Sequence, residues 1–241
     1  MTRSWITRSA MLLACAATTV MIAGVPARAA DEPKPGTPLY GRPNQPGAMK
    51  LAPVAPPPLT TPADKLPLAK FKVPPGFKIE LYASGIKNAR TLRMGDKGTL
   101  FVANWQANKL WAVTDDGKTK KAIYEGLDWP NGIAFHNGTL YVAEHEKISK
   151  AENIEDHLDN PPKLQMIYDK LGKERPHGWR FLAVGPDERL YVANSAPCNI
   201  CMPPDTHAQM RSIKLDGSDE QVVARGIRNT VGFDFNPKNG Q

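Results

Sequence analysis

One six-residue pattern recurs three times between residues 98 and 193, and it limits the fold more than any other feature. It reads Gly98-Thr99-Leu100-Phe101-Val102-Ala103, then Gly138-Thr139-Leu140-Tyr141-Val142-Ala143, then Glu188-Arg189-Leu190-Tyr191-Val192-Ala193. A turn signal precedes each copy: Gly95-Asp96-Lys97, His136-Asn137-Gly138 and Gly185-Pro186-Asp187. Another short apolar run precedes each turn: Thr91-Leu92-Arg93-Met94, Gly132-Ile133-Ala134-Phe135 and Phe181-Leu182-Ala183-Val184. This order predicts strand, tight turn, strand. The leucines at 100, 140 and 190 are 40 and 50 residues apart. A β unit recurring at that interval is a propeller blade, because solenoid repeats are shorter and stricter. The expected fold class is all-β, a β-propeller occupying residues 76–241. A fourth copy opens at Val231-Gly232-Phe233-Asp234-Phe235, with a turn at Asn236-Pro237-Lys238-Asn239-Gly240. The sequence therefore holds the first three to four blades. Propellers close with about 4–8 blades, and an open ring exposes strand edges. The expectation is a C-terminally truncated propeller, the alternative being a small ring completed by other copies.

The first 75 residues have another texture. Arg3 and Arg8 flank a basic start, Ser9–Val25 is apolar and uncharged, and Ala27-Arg28-Ala29 supplies small residues after Pro26. This pattern predicts a signal peptide over residues 1–29, and hence a periplasmic or secreted protein. Of the 23 prolines, 13 fall between Asp31 and Pro75. Proline removes backbone donors and favours extended chain, so residues 30–75 read as a Pro-rich arm or linker. A docking segment for a partner is the alternative.

Composition narrows the function classes. With 41% hydrophobic and 23% charged residues, a wholly disordered chain and a multi-pass membrane protein are excluded. After signal removal no integral membrane segment is expected. Residues 1–29 carry three arginines and no acid, so their loss lowers the net charge from +7 to +4. The remaining basic residues are scattered, and no nucleic-acid partner is expected.

Three loops beside the repeats carry candidate chemistry. In Arg175-Pro176-His177-Gly178-Trp179-Arg180, a histidine titrating near neutrality can act as general base, and glycine lets a substrate approach. A packed histidine is the plainer reading. In Gly226-Ile227-Arg228-Asn229-Thr230-Val231-Gly232-Phe233, an Arg-Asn pair suits a carboxylate, a quinone oxygen or a developing oxyanion. A surface arginine in a hydrogen-bonded loop is the alternative. In Ala196-Pro197-Cys198-Asn199-Ile200-Cys201 stand the only cysteines outside the signal peptide. In an exported protein, Cys198 and Cys201 are a disulfide candidate, mainly structural. Metal binding would need two further ligands, and covalent haem would need histidine where Met202 stands. His145-Glu146 lacks the second histidine of a zinc-protease helix, so no metal ligand is assigned. Asn131-Gly132, after Trp129-Pro130, is a tight turn or presents an amide to a ligand.

Taken in order, residues 75–241 resemble the glucose/sorbosone dehydrogenase family of soluble quinoproteins. The resemblance rests on His177-Gly178-Trp179, on Gly185-Pro186-Asp187 through Leu190-Tyr191-Val192, on Ala196 through Cys201, and on Gly226 through Asp234. It implies a six-bladed propeller with pyrroloquinoline quinone (PQQ) over the central channel and Ca2+ bound to it. It implies oxidation of an aldose or sorbosone-like sugar by hydride transfer to PQQ. His177 matches the general base, Arg228 the arginine polarising quinone and substrate, and Asn229 the neighbouring cofactor contact. Asn131 and Asn199 lie in loops that contact the quinone in relatives. The family's calcium ligands and several quinone contacts belong to later blades, beyond Gln241, so both cofactors are implied by the family. A periplasmic electron acceptor such as a cytochrome c is the expected partner. Two rival functions stand beside this one. Pro130-Asn131-Gly132-Ile133-Ala134 followed by Leu140-Tyr141-Val142-Ala143 also resembles the regucalcin-like propellers, metal-dependent sugar lactonases. A non-catalytic propeller binding module is the other.

Overall fold

The structure is a computed structural model and describes residues 61–240. The signal peptide and most of the Pro-rich arm lie outside the described residues. The chain enters through two short 3-10 turns, Ala63–Lys65 and Leu68–Lys70, and regular strand begins at Ala89. Residues 76–88, expected to open the propeller, form no strand but are tied to the first sheet. Lys120 Nζ donates to Ser84 O at 2.9 Å, Asn104 Nδ2 donates to Lys87 O, and Gly117 passes so close to Tyr82 O that a Cβ would lie 1.9 Å from it.

Three four-stranded antiparallel meanders follow, the first part of a β-propeller. The first is β1 (Ala89–Met94), β2 (Leu100–Asn104), β3 (Lys109–Thr114) and β4 (Thr119–Glu125). The second is β5 (Gly132–His136), β6 (Thr139–Ala143), β7 (Ile148–Ala151) and β8 (Gln165–Tyr168). The third is β9 (Leu182–Val184), β10 (Arg189–Asn194), β11 (Gln209–Lys214) and β12 (Gln221–Arg225). Each repeated pattern thus forms the second strand of a blade. The β5–β6 hairpin turns at Asn137 (φ 47°) and Gly138 (φ 74°), the two positive-φ residues that a twisted hairpin needs. The first strands are neighbours, β1 beside β5 and β5 beside β9, so they gather about one axis.

In the second blade the repeat is apolar on successive residues because that blade is covered on both faces. In β6, Leu140 and Val142 join the cluster shared with Phe101, Leu110 and Ile133 of the first two blades. Tyr141 and Ala143 join the opposite cluster, with Leu182, Leu190, Val192 and Ile213 of the third blade. A strand buried on both faces reads as a continuous run rather than an alternation. Full burial of each such leucine contributes about 1.5–3 kcal/mol.

The fourth expected copy does not form a strand. Residues 231–235 carry no ladder, because no described strand follows to pair with them. They lie against the third blade: Phe233 packs on Phe181 and Phe235 on Tyr191, each with centroids 5.0 Å apart. The turn after them forms, with Gly240 N–H donating to Asn236 O at 2.7 Å.

Candidate functional site

Strand direction collects the loops onto one face. Ala89 pairs with Asn104, Gly132 with Ala143 and Leu182 with Val192, so the start of each first strand lies beside the end of each second strand. The segments leading into β5 and β9, the segment after β12, and the β2–β3, β6–β7 and β10–β11 loops therefore share this face. A buried polar residue after each Val-Ala holds the preceding loop. Asn104 donates to Lys87 O, Glu144 Oε1 accepts from Asp128 N–H at 2.8 Å, and Asn194 Oδ1 accepts from Gly172 N–H at 3.0 Å.

His177 stands in the segment before β9, buried and with a left-handed backbone (φ 54°). Such a conformation costs a non-glycine residue on the order of 1 kcal/mol and persists where surrounding contacts impose it. Its Nδ1 lies 2.9 Å from Ala196 O. A carbonyl only accepts, so Nδ1 carries the hydrogen and the neutral ring keeps its lone pair on Nε2. The N–H of Ala196 donates to Arg228 O at 2.8 Å. One residue, Ala196, thus joins the His177 and Arg228 loops. The Arg228 guanidinium is exposed and held from the cysteine loop, with Nε donating to Asn199 O at 2.7 Å and a terminal nitrogen to Asn199 Oδ1 at 3.1 Å. Cys198 and Cys201 are bonded across Asn199, their Cα atoms 6.0 Å apart.

The other two candidates are placed differently. Asn229 follows Arg228 and buries an Oδ1 that has no hydrogen-bond partner among the described residues. Asn131 is buried between the first two blades. Its N–H donates to Ala143 O at 3.2 Å and its Oδ1 accepts from Thr91 Oγ1 at 3.4 Å. No described bond links it to His177.

Sequence reasoning missed an aromatic chain across this face. Trp105 meets Trp129 edge-on at 5.1 Å and Trp179 at 5.7 Å, and Trp179 meets His177 at 6.3 Å. The Arg90 guanidinium lies 5.1 Å from the Trp179 ring centre, and that of Arg175 lies 4.4 Å from Trp129. A signal was available: Trp129 and Trp179 are 50 residues apart, the interval of Leu140 and Leu190. Below this layer Arg180 is buried, donating through Nε to His145 O at 3.0 Å and through a terminal nitrogen to Gly172 O at 2.6 Å. Desolvation lowers its pKa to about 10, so it stays charged at neutral pH. Glu174 is held below the usual carboxylate range, chiefly by its bond to His207 Nε2 at 2.8 Å.

A cleft of about 590 Å³, lined by Arg90, Thr91, Leu92, Phe181 and Val231, opens at the axis beside these loops. Buried side-chain atoms without hydrogen-bond partners among the described residues concentrate on the same face: Trp179 Nε1, Ser195 Oγ, Asn229 Oδ1 and Thr230 Oγ1. Buried polar groups are ordinarily paired, so this concentration is what a ligand-binding face leaves when described alone. Orphaned donors and acceptors beside the guanidiniums of Arg90 and Arg228 fit a planar, polyanionic group.

No family model matches the chain. An uncharacterized protein of Borreliella burgdorferi is 31% identical over 179 residues, covering 69% of this chain and 46% of that protein. The holo PQQ domain of pyranose dehydrogenase from Coprinopsis cinerea matches with a TM-score of 0.59 at 16% identity, over 68% of this chain and 45% of that one. A Trichoderma reesei protein of carbohydrate-active enzyme family AA12 matches with a TM-score of 0.57 at 19% identity, over 67% of this chain and 46% of that one. The chain spans about half the length of the proteins it matches. At these identities the solved structures share its fold. Among the described residues no helix is long and apolar enough to cross a membrane.

Proposed function

We propose that this chain belongs to an exported quinone-dependent sugar oxidoreductase, with His177 as general base. The observation that carries the reading is the Nδ1 bond of His177 to Ala196 O, on the residue whose N–H also donates to the Arg228 carbonyl. Oxidising a sugar CH–OH to a carbonyl requires removal of the hydroxyl proton and of a hydride from carbon. His177 accepts that proton at Nε2, while the Ala196 carbonyl keeps the ring oriented. Arg228, with Asn199 fixing its plane, offers donors to oxygens that gain negative charge. Arg228, Asn229 and Trp179 would hold PQQ, which when bound supplies the two-electron acceptor. Calcium is carried over from the resemblance, and no described residue is assigned to it. A small sugar is the substrate class, and the electrons pass on to an acceptor such as a periplasmic cytochrome c. The fold likeness to the Coprinopsis PQQ domain supports this reading.

The test is quinone binding followed by turnover. Quenching of tryptophan fluorescence on titration with PQQ and Ca2+, then sugar-dependent dye reduction, is the expected result. Lactone hydrolysis that a chelator stops and quinone leaves unchanged would instead establish a lactonase. A saturable glycan or protein ligand with no turnover would establish a binding module.

A further inference from the structure

We propose a divalent transition-metal site formed by Asp128, His145 and Glu146, distinct from the His177–Arg228 site. The His145 ring is completely buried. Its Nε2 lies 2.9 Å from Glu174 O, so that nitrogen carries the hydrogen and Nδ1 holds the lone pair of the neutral ring. Nδ1 has no hydrogen-bond partner among the described residues. It faces Asp128 Oδ2 at 3.6 Å and Glu146 Oε1 at 3.7 Å, and the three ligand atoms lie within 4.8 Å of one another.

Three electron-pair donors therefore converge on one point. A proton on Nδ1 does not bridge 3.6–3.7 Å as a hydrogen bond. A metal ion does: ligands at about 2.0–2.2 Å around a tetrahedral ion sit roughly 3.3–3.6 Å apart. The remaining imidazole N–H already donates to a backbone carbonyl, the arrangement that orients a metal-bound histidine. One imidazole with two carboxylates suits zinc or manganese better than calcium or magnesium. Three protein ligands leave a fourth position for water.

Neighbouring cations do not fill the point. Arg175 binds mainly the far oxygen of Asp128, Oδ1 at 2.9 Å against 3.5 Å to Oδ2. Arg180 donates to His145 O and Gly172 O, and Lys147 faces Glu144 at 3.3 Å. The carboxylates of Asp128 and Glu146 are 44% and 45% exposed, which gives an ion a way in. A bound ion would tie the segment before β5 to the β6–β7 loop. Through His145 it would also brace the His177 loop, because Gly178 sits where a Cβ would lie 2.6 Å from the His145 ring. His145-Glu146 lacks the second histidine of a zinc-protease helix; the third ligand is instead a carboxylate 17 residues upstream of the histidine.

The test uses the untagged chain, stripped with chelator and titrated with ZnCl2 and with MnCl2 by calorimetry, without quinone or sugar. The expected result is one saturable site per chain, weakened at least ~10-fold in Asp128→Asn and in Glu146→Gln. Both side chains are half-exposed, and circular dichroism checks that the variants fold. His207→Asn, which opens the closed His207–Glu174 pair, is expected to keep the site. Amide exchange in residues 172–180 is expected to slow when zinc binds. No saturable uptake, or equal uptake in the wild type and both carboxylate variants, overturns the proposal. Because uptake is read directly, failure of the sugar oxidation assay leaves this test standing.

Discussion

Nδ1 of His177 donates to the carbonyl of Ala196 over 2.9 Å, and the N–H of the same Ala196 donates to Arg228 O over 2.8 Å. The His177 ring and the Arg228 backbone are thus held by the two sides of one residue, although 51 positions separate them in the chain. His177→Ala removes one hydrogen bond, worth about 0.5–1.5 kcal/mol. The expected outcome is loss of sugar-dependent dye reduction with a small fall in Tm. Turnover retained in the folded variant would remove His177 from the mechanism.

The disulfide across Asn199 makes a separable prediction. Closing so short a loop restrains the unfolded chain by only about 2 kcal/mol. Its larger effect is local, since Asn199 O and Oδ1 both anchor Arg228. In the double variant Cys198→Ser, Cys201→Ser, stability is expected to drop modestly while PQQ binding weakens further than stability alone explains. Equal PQQ affinity in the reduced and oxidised proteins would show that Asn199 needs no such support.

Two glycines separate steric from conformational cost. Gly132 opens β5 where a Cβ would meet Arg180 O at 2.1 Å and the Leu182 side chain at 2.8 Å, both on the neighbouring blade. Gly98 has open space around it but a φ of 88°. Gly98→Ala is expected to cost about 1 kcal/mol, from backbone strain. Gly132→Ala is expected to cost about 3 kcal/mol or more, because backbone must move. Urea midpoints order the pair, and the reverse order would mean that the blades are not in this contact.

The blades were legible because their signal is local. Leu140 to Ala143 alternate between two cores, and that pattern survives in any order of blades. The loop chemistry was legible only in part. His177 and Arg228 stand in distinctive segments, but their link runs through a backbone group, and alanine at position 196 advertises nothing. Asn104, Glu144 and Asn194 perform one task with two residue types, directly after the pattern that reveals the blades. Asp128 joins His145 only through the hairpin register that sets Gly132 opposite Ala143. The strand expected over residues 231–235 fails for another reason: strand propensity shows as a ladder only where a partner strand stands beside it.

Two tyrosines give the fold an alkaline limit. Desolvation raises Tyr124 to about 12, and its hydroxyl donates to Pro162 O at 2.7 Å. Desolvation also raises Tyr168 to about 12, against the lesser opposing effect of Arg211. In the unfolded chain both titrate near 10. Between these values the folded state holds protons that the unfolded state releases, so stability falls as pH rises. The contribution is complete below pH 10 and is lost as pH approaches about 12. Tyrosinate absorbance is expected to show Tyr124 and Tyr168 titrating late, with Tyr141 and Tyr191 also raised by desolvation, and the urea midpoint is expected to decline from pH 10 upward. Tyr124→Phe should remove one late step and flatten that decline. If all the tyrosines instead ionise together near pH 10 in a chain that circular dichroism shows to be folded, Tyr124 and Tyr168 are not shielded between the blades as described.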